Sequence, residues 1–131
     1  FIRNLLNTKN IEFLEYPEQK PEDITPRYRG FHRLTKYESG ELKCVACDMC
    51  ATACPAKCIY IEACEVEGSK EKAPKVFNID LLECVFCGLC VEACPKDAIR
   101  MDSGIFTKVE GKREDFISDI NELSSRKRGD F

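Results

Sequence analysis

The side chains in this 131-residue chain best suited to chemistry are its ten cysteines. Cys44, Cys47, Cys50 and Cys54 form the pattern C-x2-C-x2-C-x3-C and are followed by Pro55. Cys84, Cys87, Cys90 and Cys94 repeat it 40 residues later and are followed by Pro95. The apolar positions between them recur as well, Val45 with Val85, Met49 with Leu89 and Ala53 with Ala93. This is an internal duplication. A disulfide framework would suit a small secreted protein, but thiols three residues apart make poor loop-closing staples. Zinc is normally held by Cys pairs separated by a longer loop, four donors on one ion. A cubane iron-sulfur cluster has separate iron corners, so a short loop can wrap it and offer one thiolate to each of three irons, as the first three cysteines of each copy can.

The spacing with its trailing proline is the bacterial ferredoxin pattern, in which the fourth Cys of each motif ligates the other cluster. Two 4Fe-4S clusters are therefore expected. Exchange of one ligand across a pseudo-two-fold axis would give the two repeats a shared interior. It assigns Cys44, Cys47, Cys50 and Cys94 to the first cluster and Cys84, Cys87, Cys90 and Cys54 to the second. Cys58 and Cys64 fall outside the pattern. Cys58 corresponds to Ala98 in the second copy and reads as a small packing position.

The elements that must position these ligands are short. Ile59 to Glu62 and Val76 to Ile79 read as strands of a hairpin with a polar loop between them. Ala98 to Met101 follows the second motif, and Tyr37 to Leu42 leads into the first. Ala51 to Ala53 and Val91 to Ala93 run into Cys-Pro and look like ligand loops entering a helical turn, with Pro55 and Pro95 as helix-start residues. The expected fold is α+β, a two-cluster ferredoxin with short hairpins and helices, flanked by extended arms. Its expected divisions are a docking arm at 1–33, the cluster domain at 34–104 with repeats at about 34–64 and 74–104, and a C-terminal arm with a short helix at 105–131.

Composition supports a metal-held interior. The hydrophobic share of 44% includes all ten Cys, so the ordinary apolar core is thin. Cluster assembly and folding should be coupled, and the metal-free chain mostly unfolded. A net charge of −3, from 20 Lys and Arg against 23 Asp and Glu, argues against nucleic-acid binding. No window approaches the length of apolar sequence a membrane span needs, and a start at Phe1 points to further chain upstream. No phosphate loop, nucleophile triad, or nicotinamide or flavin fingerprint is present, so the chain is expected to move electrons and to have no catalytic residue of its own. Charges beside the first loop (Lys43, Asp48, Lys96, Asp97) and the second (Glu83, Lys57) cancel, leaving the order of the two potentials open.

The flanks carry a more specific resemblance. Tyr16-Pro-Glu-Gln-Lys20, Arg27-Tyr-Arg-Gly-Phe-His-Arg33, Gly40-Glu41, Ile79-Asp80-Leu81 leading into the second motif, and Arg113-Glu-Asp-Phe116 accompany the cysteines. Together these resemble the ferredoxin-like subunit I of bacterial respiratory complex I, the NADH:quinone oxidoreductase, over nearly the whole chain. The resemblance implies that the clusters are successive steps toward the cluster beside the quinone site, in support of proton translocation. It also implies partners among the peripheral-arm and membrane-interface subunits, and a peripheral place on the cytoplasmic side of the bacterial inner membrane. Cys58, Cys64 and the truncated start depart from the family pattern. A subunit of a related membrane hydrogenase, a free two-cluster ferredoxin and a structural zinc module are the alternatives.

The arms are read more simply. Phe1, Ile2, Leu5 and Leu6 have helical spacing, and Thr8 to Pro26 reads as an extended segment laid across neighbours. Arg27 to Lys43 carries a local excess of positive charge suited to docking. The single histidine, His32, reads as a satisfied interface residue. Phe116, Ile120 and Leu123 form a short helical stripe expected to contact a partner.

Overall fold

A computed structural model describes residues 13, 15, 18, 19, 25, 27–66 and 72–129. The Phe1, Ile2, Leu5 and Leu6 stripe and most of the expected extended arm lie outside the described residues. The elements in chain order are β1 (Arg33–Leu34), α1 (Met49–Thr52), β2 (Ile59–Glu65), β3 (Lys72–Asp80), α2 (Leu89–Ala93), β4 (Ile99–Arg100), a 3-10 turn (Glu114–Phe116), β5 (Ile117–Ser118) and α3 (Ile120–Ser125). They build an antiparallel β1-β4 pair and a three-stranded antiparallel sheet in the order β2-β3-β5. This is the α+β arrangement of a two-cluster ferredoxin.

The hairpin forms where alternation required it, and extends further on both sides. Ile59 pairs with Ile79 and Ile61 with Phe77, which puts β-branched and aromatic side chains on one inward face. The register shifts between Glu62 and Ala63, next to the pairing of Ala63 with Pro74, a residue with no N–H to give to a ladder. Phe77 and Ile79 are almost wholly buried, together with Leu34, Ile99 and the ligand-motif residues Cys50 and Cys90. The core is thus a thin apolar layer backed by sulfur.

The duplication extends to the backbone. Ala46 and Phe86 have φ of 48° and 51°, Asp48 and Gly88 have 64° and 83°, and Lys57 and Asp97 both have 52°. Each pair is 40 residues apart. Among the described residues all five non-glycine residues in the left-handed region belong to these pairs, so both repeats hold the same locally disfavoured backbone.

Two expectations need correction. Pro55 and Pro95 do not start helices: α1 and α2 precede them, contain Cys50 and Cys90, and end at Thr52 and Ala93. A proline cannot continue a helix and excludes helical geometry from the residue before it, and Cys94 is accordingly extended. The stripe on α3 is not left for a partner. Leu123 is fully buried in the core, Ile120 packs against it, and β5 pairs with the end of β3 through Ile79 with Ser118 and Asp80 with Ile117. Around β1, Phe31 and Leu34 are core residues and Arg33 forms an ion pair with Asp102.

Candidate metal centres

Each ligand loop brings its cysteines inward by the same local device. Where φ turns positive, successive amide groups curl round a concavity, an arrangement suited to anions. The Phe86 N–H donates to Cys84 Sγ at 3.4 Å, and the backbone of Ala46 makes the matching bond to Cys44. The backbone amides of Ala51 and Val91 serve Cys50 and Cys90 in the same way. The fourth cysteines follow suit: the Ala98 N–H donates to Cys94 Sγ at 3.2 Å, and the amides of Cys58, Ala56 and Lys57 bond to Cys54.

The sulfur atoms collect in two cavities. One is lined by Cys44, Cys47, Cys50 and Cys94, with Leu34, Ile61, Phe77 and Ile99 behind them. The other is lined by Cys84, Cys87, Cys90 and Cys54, with Cys58, Ile59 and His32. Each cavity therefore draws three cysteines from one repeat and the fourth from the other. All ten cysteines are free of disulfide bonds.

Metal-free, these sites are electrostatically expensive to ionise. Burial, aided by neighbouring sulfur charge, pushes the Cys50 and Cys90 thiols up to about 12. Burial likewise raises Cys44 and Cys84. Cys54 moves the other way: burial raises it, but the hydrogen bonds from the backbone and side chain of Cys58 and from Ala56 and Lys57 together outweigh that effect. Four thiolates gathered around one cavity need a compensating cationic core, which iron supplies.

His32 is a finding that the sequence reading missed. It is 2% exposed, so it is not an interface residue of this chain, and its Nδ1 is buried with no hydrogen-bond partner. Burial, and then the Arg126 charge, depress its pKa to about 4. Its ring lies 5.8 Å from that of Phe86 on the second loop. The available signal was its place between Phe31 and Arg33-Leu34, a half-apolar run entering β1. A polar atom left unpaired at the edge of a cavity is what a sulfur-rich occupant would satisfy. The donor sets fit a 4Fe-4S cluster in each cavity, and the orphaned imidazole fits one in the second.

Cys58 is buried, and its Sγ lies 3.5 Å from Cys54 Sγ. Its four-residue spacing from Cys54 was the sequence sign of that contact. Cys64 sits apart on β2, its Sγ 3.4 Å from the Ala73 carbonyl, and lines neither cavity.

Comparison with known proteins adds three findings. The family described as a 4Fe-4S dicluster domain matches residues 43–98. The NADH-quinone oxidoreductase subunit I of Campylobacter fetus subsp. fetus (strain 82-40) is 75% identical over 131 residues, which is 100% of this chain and 79% of that protein. The corresponding subunit I of Bdellovibrio bacteriovorus is 50% identical over 127 residues, 95% of this chain and 71% of its own length.

Proposed function

Since the chain belongs to the NADH-quinone oxidoreductase subunit I family, we propose that its clusters are held by Cys44, Cys47, Cys50 and Cys94 and by Cys84, Cys87, Cys90 and Cys54. The chain carries two 4Fe-4S clusters and is an electron-transfer component of that oxidoreductase. The single observation that supports the ligand sets is the lining of the two cavities, each with three cysteines of one motif and the fourth of the other.

A bound cluster supplies a site for one electron at a time. The residues of this chain do the rest. The thiolates fix the clusters, the inward amides lower the cost of their negative charge, and Leu34, Ile61, Phe77 and Ile99 exclude water from the first of them. The two clusters act as successive steps toward the quinone-side cluster, so the chain works only between other subunits. Exposed Val85 and Leu82 on the second loop and Met49 on the first give apolar surface beside each cluster for those neighbours. Among the described residues no helix is long and apolar enough to cross a membrane. Peripheral association on the cytoplasmic side, through membrane-embedded partners, follows from this reading.

The test uses the complex purified in mild detergent. NADH is expected to reduce the two clusters of this chain, and added quinone to reoxidise them, as followed by electron paramagnetic resonance. Clusters that respond to neither, or a colourless zinc-loaded chain, would overturn the reading.

A further inference from the structure

The duplication holds closely for the backbone around the fourth cysteine of each motif but fails at one side chain. In the second repeat, residue 98 is Ala, its N–H bonded to Cys94 Sγ at 3.2 Å. In the first repeat, the backbone N–H of Cys58 bonds to Cys54 in the same way, but the methyl group is replaced by a thiol. That thiol is 3.5 Å from Cys54 Sγ and also in hydrogen-bond contact with Cys84. It is 6% exposed.

Resting on the ligand sets above, we propose that Cys58 is a positioning residue whose S–H donates to the Cys54 thiolate, with Cys84 as the alternative acceptor, and so stabilises the reduced form of the second-loop cluster. When Cys54 and Cys84 are bound to iron they carry no proton, so Cys58 is the only one of the three sulfurs left to donate. Each oxidised cluster with its four thiolates has a formal charge of about −2, and the arriving electron takes it to about −3. That charge spreads onto the ligand sulfurs, so a donor on them is bound more strongly after reduction than before. The potential of that cluster is therefore higher than it would be without the thiol.

A second feature marks the same cavity. The His32 imidazole lines it with Nδ1 unpaired, whereas the lining of the first-loop cavity has neither a histidine nor a fifth cysteine. The second-loop cavity thus offers two side-chain groups able to hydrogen-bond sulfur, Cys58 and His32, that the first lacks. Cys58 is the one with a defined sulfur acceptor.

The test is a potentiometric titration of the purified complex followed by electron paramagnetic resonance, comparing the wild type with Cys58→Ala and Cys58→Ser. In Cys58→Ala the reduced-to-oxidised ratio of one cluster, poised at its wild-type midpoint, should fall roughly threefold or more, tenfold being about 59 mV for a one-electron couple. The cluster that shifts should be the one whose signal Cys87→Ser alters, and the other should be unmoved. Cys58→Ser retains a donor and should recover most of the shift. Ala98→Cys installs the mirrored thiol and should raise the first-loop cluster instead. With iron content unchanged, no shift in Cys58→Ala, or an equal shift of both clusters, would overturn this inference alone. Loss of four irons in Cys58→Ala would make Cys58 a ligand and overturn the ligand sets as well.

Discussion

Cys94 lines the same cavity as Cys44, although fifty residues of chain separate them and Cys90 is only one helical turn away. The reason is the proline after it. Pro95 ends α2 and leaves Cys94 extended, so its sulfur is carried away from the loop that holds Cys90 and toward the other repeat. Cys54 makes the reciprocal crossing to the cavity of Cys84. Each repeat is then held shut by the other.

Crossing has a direct spectroscopic consequence. Cys54→Ser should perturb the cluster that Cys87→Ser perturbs, and Cys94→Ser the one that Cys47→Ser perturbs. Electron paramagnetic resonance of the reduced proteins reads this pairing. A Cys54 variant that instead matches Cys47→Ser would mean that each repeat closes on itself.

Removing iron should unfold most of the chain. Eight motif cysteines, all but Cys47 buried or half-buried and two with thiols pushed up to about 12, line the interior that a larger apolar core would otherwise fill. Far-ultraviolet circular dichroism before and after a strong chelator should show loss of most secondary structure, recovered on anaerobic reconstitution. Retention of native signal without iron would show that the apolar layer suffices.

The C-terminal segment should be part of the cooperative fold even without partners. Leu123 is fully buried, and its N–H bonds to the Asp119 carbonyl at 2.9 Å. Leu123→Ala should cost about 2–5 kcal/mol by leaving a cavity, measured by denaturant unfolding of the cluster-loaded chain. Hydrogen exchange of the same sample should find 117–123 protected.

The Arg33–Asp102 pair ties β1 to the segment after β4, with N···O distances of 2.5 and 2.9 Å. Its hydrogen bonds to Arg33 hold the Asp102 carboxyl below its ordinary 3.8, against a smaller opposing effect of burial. A depressed carboxylate contributes stability that is present above its unfolded pKa and lost as pH falls through the folded one. Asp102→Asn should therefore cost about 0.5–1 kcal/mol at neutral pH, screened because the pair is partly exposed. The difference from wild type should shrink below about pH 4, as read from unfolding midpoints across pH.

Gly88 distinguishes backbone need from spare room. Its φ is 83°, and a Cβ there would come within 2.9 Å of Arg29 Nε, the movable end of a long side chain. Gly88→Ala should destabilise the chain by about 1 kcal/mol, chiefly through the left-handed backbone. Gly111→Ala, with no atom within 4 Å of the added carbon, should be nearly silent in the same thermal unfolding experiment.

The duplication of the cysteine motifs and the cofactor could be read from spacing alone, because wrapping a cubane is a local task of loops a few residues long. The hairpin was legible for the same reason: alternation at Ile59, Ile61, Phe77 and Ile79 is a local property of two strands joined in sequence. Where the two cavities lie, what else borders them, and whether the C-terminal stripe needs a partner depend on contacts between residues far apart in the chain. His32 meets the second loop across more than fifty residues, and Leu123 reaches the core beside the pairing of β5 with β3. No periodicity encodes such meetings. Packing two repeats about a pseudo-two-fold axis creates them, and the same packing turned Cys58 from a small filler into the neighbour of a ligand sulfur.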